Sequence, residues 1–80
     1  DKREDGLTMA NLRVTYDPTA DAAYLYFRNR TSDDPKRSTR CLSDDLIADL
    51  GRDGEMTGLE VLRASFNLPK ELLEQAEILR

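Results

Sequence analysis

The chain contains no histidine and one cysteine, and no apolar run in it approaches the roughly 18 residues that a membrane span needs. Each absence removes a class of function. Without histidine the commonest general base and the commonest metal ligand are both missing. With Cys41 alone, no internal disulfide forms and no thiolate has an imidazole to activate it. Residues 1–10 carry no apolar stretch of the signal-segment kind. At 80 residues the chain is one domain at most. A domain this short buries only roughly 60–65% of its unfolded surface, so oligomerisation is a natural source of added stability. Most enzyme chemistries are therefore disfavoured before any motif is read.

What remains is an ordinary globular composition, with 39% apolar and 35% charged residues and a net charge of −4. Residues 1–10 are polar and without period, and are expected to form a flexible tail, with Met9-Ala10 resembling a translation start. Residues 11–80 are expected to form a single small domain. Leu12, Val14 and Tyr16 alternate with Arg13 and Thr15, the pattern of a half-buried strand. Asp17-Pro18 opens a capped turn, because Asp17 can accept backbone N–H groups and Pro18 has none to leave unbonded. Ala22 to Phe27 reads as a second strand, with Ala23, Leu25 and Phe27 on one face and Tyr24, Tyr26 and Arg28 on the other. A third strand is expected over Thr39–Leu50. Gly51-Arg52-Asp53-Gly54 signals a hairpin into a fourth strand, Met56–Leu62. Asn67-Leu68-Pro69 looks like a helix start, with Asn67 as cap and Leu72, Ala76 and Leu79 at helical spacing. The predicted fold is α+β, a four-stranded antiparallel sheet with a C-terminal helix packed on one face. Leu25, Phe27, Leu46, Leu59, Val61 and Leu72 are its expected core.

Two blocks carry a resemblance. Tyr16-Asp17-Pro18-Thr19-Ala20-Asp21-Ala22-Ala23-Tyr24-Leu25 is one; Ile47-Ala48-Asp49-Leu50, Asp53-Gly54 and Gly58-Leu59-Glu60-Val61-Leu62, followed by Ala64-Ser65, form the other. In order and spacing they resemble a small bacterial family catalogued as domain of unknown function 2283. Loop 29–38 is longer and more basic than that family's pattern, and Leu46 stands where the family often has Gly or Val. The resemblance implies a cytoplasmic setting and a small partner protein. It includes an antitoxin-like role beside a toxin from a neighbouring gene.

Asp49 to Glu60 fits much of a calcium EF-hand loop, but position three is Gly51 and the flanks alternate with period two, so a plain hairpin is expected. Asp17, Asp21, Asp44, Asp45 and Asp49 are the acids a metal-dependent hydrolase would need; turn and cap roles account for them as well. Residues 28–40 carry five basic and two acidic side chains, whereas 41–60 carry six acids and one arginine. Arg30, Lys36, Arg37 and Arg40 are thus candidate contacts for a nucleic acid or a charged partner, with nucleic acid the weaker case because the whole chain is acidic. Tyr24, Tyr26, Arg28 and Ile47 form the candidate protein interface on the outer sheet face. Cys41 is expected to be a small packing residue. No metal, cofactor or catalytic residue is assigned. The expected function is non-enzymatic protein binding by a homo-oligomer, with a carboxylate and metal-dependent nucleic-acid hydrolase or a nucleic-acid-binding module as alternatives.

Overall fold

Each region of period-two alternation does form a strand, but the sheet is wider than the pattern implied. The computed structural model describes residues 12–28 and 38–79. Six strands make one sheet: β1 (Arg13–Asp17), β2 (Ala22–Tyr26), β3 (Ser38–Ser43), β4 (Leu46–Leu50), β5 (Met56–Leu62) and β6 (Glu77–Ile78). Their order is β3-β4-β5-β2-β1-β6. All neighbours are antiparallel except β6, which runs parallel to β1. Two short helices, α1 (Ala64–Asn67) and α2 (Lys70–Gln75), follow β5. The architecture is α+β, as read from the sequence; the four-stranded, wholly antiparallel sheet with one helix is corrected to six mixed strands and two helices.

Three local causes account for the difference. The expected third strand is broken at Asp44-Asp45, where the Ser43 hydroxyl accepts the Asp45 N–H at 3.3 Å and turns the chain. Asn67 does not cap a helix, because it is itself the last residue of α1; its amide donates to Asp45 Oδ2 at 2.9 Å and to the Leu62 carbonyl at 2.8 Å. Leu68, which precedes Pro69, is extended, as a residue before proline tends to be, and this separates α1 from α2. Beyond Gln75 the chain opens out again. Glu77 and Ile78 pair with Thr15 and Tyr16, and Leu79 N–H donates to the Tyr16 carbonyl at 2.8 Å.

The helices lie on one face of the sheet. Ala23, Val61 and Ala64 form the buried cluster there, with Tyr16, Leu25, Leu46, Leu59, Leu68 and Leu73 packed around it. Val61 is 1% exposed; the other expected core leucines, Leu72 included, are half-buried. Phe27 is corrected from core to surface, at 38% exposure, because it lies past the end of β2. Cys41 is likewise exposed rather than packed. No helix among the described residues is long and apolar enough to cross a membrane. The tail proposed for residues 1–10 lies outside the described residues.

Candidate interaction face

The face away from the helices is set by register. Arg13, Tyr26, Gly58, Asp49 and Thr39 stand in one cross-strand row. Thr15, Tyr24, Glu60, Ile47 and Cys41 stand in the next. Successive side chains of a strand point to opposite faces, so Tyr24, Tyr26 and Ile47 share this surface, as the alternation indicated. Arg28 lies at its margin, 3.4 Å from Glu55.

The two tyrosines are held in place. A Cβ at Gly58 would collide with the Tyr24 ring, so the absent side chain is what lets the ring cross β5. Having crossed, the Tyr24 hydroxyl donates to Asp49 Oδ2 on β4. Thr39 Oγ1 donates to the other carboxylate oxygen at 3.4 Å. These bonds satisfy a carboxylate that is only 6% exposed and would otherwise be costly to bury. The rings of Tyr24 and Tyr26 are 4.5 Å apart and tilted by 54°. The Arg13 guanidinium sits 4.9 Å over Tyr26, within cation–π range. Arg13 is aimed in turn by Glu77, through bonds of 3.0 and 3.3 Å. That bond is also the main reason the Glu77 carboxyl titrates below its usual range. Thr15, across from Tyr24, is 2% exposed.

The other candidates do not join this face. Arg40 pairs in register with Ala48, which puts it on the helix side, in an open groove with Leu42, Leu50 and Met56. Arg30, Lys36 and Arg37 lie outside the described residues. The five aspartates are spread over separate structural tasks. Asp17 accepts the Thr19 and Ala20 N–H groups at 3.0 and 3.3 Å, the capped turn expected of it. Asp21 accepts the Tyr16 hydroxyl at 2.7 Å, the Ser65 N–H at 3.0 Å and the Ser65 hydroxyl at 2.7 Å. It thereby ties the β1–β2 turn to the first residues of α1. These bonds, Tyr16's first and then Ser65's, hold the Asp21 carboxyl below its ordinary range, and the same bond to Asp21 raises the Tyr16 phenol. Asp45 accepts from Arg63 at 2.9 and 2.6 Å and from Asn67; bonding to Arg63 is the main cause of its lowered pKa. Asp44 is exposed at the turn, and Asp49 is occupied as described. Among the described residues no three His, Cys, Asp or Glu side chains group as metal ligands. The EF-hand-like segment is a hairpin with Gly54 at φ +85° and a Gly51 N–H to Glu55 carbonyl bond of 2.8 Å.

The family model for a protein of unknown function (DUF2283) matches residues 13–65, more than half of the chain. The chain belongs to this family. In this DUF2283 chain the first and last parts of the match are physically joined, since Asp21, which accepts the Tyr16 hydroxyl at one end, also accepts both bonds from Ser65 at the other. No curated protein and no solved structure matches the chain. Sequence reasoning missed the Tyr24–Gly58–Asp49 contact. The available signal was Gly58 itself, since a glycine inside a strand marks a close approach.

Proposed function

We propose that the chain is a small protein-binding domain and that Tyr24, Tyr26, Arg28 and Ile47 contact its partner. The supporting observation is that both helices pack on the opposite face, while two tyrosine rings lie side by side on this one. Rings held by Asp49, Gly58 and Arg13 have little rotamer freedom left to lose on binding, which favours affinity. Tyrosine also suits the centre of an interface, because it buries a large ring while its hydroxyl stays hydrogen-bonded. An antitoxin-like role in the cytoplasm, with the partner supplied by a neighbouring gene, is the setting we favour.

Co-purification with the protein encoded beside its gene tests this reading, followed by titration calorimetry. Tyr26→Asp is expected to weaken binding at least about 30-fold, the size of a 2 kcal/mol hot spot. Unchanged affinity in that variant defeats the assignment of this face. Absence of protein binding, together with salt-sensitive binding of an oligonucleotide, would assign the basic stretch 28–40 to nucleic acid instead.

A further inference from the structure

One carboxylate on the tyrosine face is left without a partner. Glu60 stands on β5 directly between Tyr24 of β2 and Ile47 of β4, neither of which offers a cation. It is half-buried, and among the described residues its side chain makes no ion pair and no hydrogen bond. Its charged neighbours on this face are engaged. Arg13 is bonded to Glu77 and Arg28 to Glu55, while Asp49 takes the Tyr24 and Thr39 hydroxyls. The Tyr24 ring lies over Gly58, two residues before Glu60 on the same strand and the same face. That spacing is about 7 Å along β5, so the carboxylate borders the ring.

The same face already contains a completed version of this pair. The Arg13 guanidinium is bonded by Glu77 at 3.0 and 3.3 Å and lies 4.9 Å over the Tyr26 ring. Carboxylate, guanidinium and phenol ring make one stack. Glu60 and Tyr24 repeat the carboxylate and the ring, with no guanidinium of the described residues between them. We propose that an arginine of the protein partner takes that place, bonding Glu60 and lying over Tyr24. The inference rests on the partner surface proposed above and adds its chemistry: a segment that presents an arginine beside an apolar side chain, the latter set against Ile47. Arginine suits the place better than lysine. Its planar fork meets a carboxylate edge-on through two bonds while its face stacks on an aromatic ring. A chain of net charge −4 also draws a cationic segment towards it.

A random peptide library displayed on phage and selected on the full chain tests this. The recovered peptides are expected to share an arginine next to an apolar residue. In titration calorimetry with one such peptide, Glu60→Gln should raise Kd at least about tenfold, the size of a lost charge-assisted bond. Replacing the peptide's arginine by lysine should weaken binding to the parent and have little further effect on Glu60→Gln, because both changes break one contact. Selected on Glu60→Arg, with its fold checked by circular dichroism, the library should yield acidic peptides instead. Peptides that need Tyr26 but neither an arginine nor Glu60 overturn this inference and leave the partner surface standing. Peptides that bind Tyr26→Asp as tightly as the parent, or a library that yields none, overturn both.

Discussion

On the helix side of the sheet, Ala23, Val61 and Ala64 are covered by a second layer of backbone. On the other side, Thr15, Gly58 and Asp49 are also buried, yet no helix of the described residues lies over them. There the cover is the pair of tyrosine rings, laid across neighbouring strands and fixed by Asp49 and Arg13. The first face depends on area, which is tolerant of exchange among apolar residues. The second depends on a gap, a hydroxyl and a carboxylate that must coincide. Covering polar atoms with side chains leaves an aromatic surface facing outward, and this is the surface proposed to take a partner.

The comparison can be broken from either side. The largest effect is expected at Gly58. Gly58→Val pushes the Tyr24 ring off β5 and strips a donor from buried Asp49, costing at least about 3 kcal/mol from overpacking and the lost bond together. A urea melt with an unchanged midpoint would refute the ring's position. Next comes Leu59→Ala on the helix side, at about 2 kcal/mol, the low end for a leucine deletion because Leu59 is half-buried. Tyr24→Phe keeps the ring and removes only the hydroxyl, so it sharpens the contrast; a loss of about 1–2 kcal/mol is expected from the under-bonded Asp49.

Smaller still is the acid response. Asp21, Asp45 and Glu77 titrate below their usual range because of the bonds they accept in the folded chain. A carboxyl lowered on folding contributes stability above its unfolded pKa and loses it as pH falls through the folded one. Stability should thus be level near neutrality and decline below about pH 4. Tyr16, raised by Asp21, works in the opposite sense and gives up its contribution only as alkali rises through its folded pKa. Thermal melts across pH should show Asp21→Asn with a flatter acid limb than the parent; an identical limb would mean that Asp21 is not held by Tyr16 and Ser65.

The sequence by itself determined β1, β2 and β5 and the Asp-Gly hairpin, and read β3 and β4 as one strand, because period two and turn chemistry are local properties. Tyr24, Tyr26 and Ile47 could be placed on one surface from alternation alone, as could Asp17 at its turn. Tertiary structure decided the rest. Asn67 looked like a helix cap, yet it ends α1 and its amide bonds Asp45, 22 residues away. The last residues had helical spacing at Leu72, Ala76 and Leu79, yet Glu77 and Ile78 went to the free edge of β1, where backbone bonds and Arg13 awaited them. Asp21 looked like a turn residue and proved to hold Ser65 as well. Asp49 stood in the sequence as one of five candidate acids, and it is buried because a tyrosine from another strand reaches it over a glycine. Each of these outcomes hangs on a partner distant in sequence, and no periodicity along one chain encodes which distant group arrives.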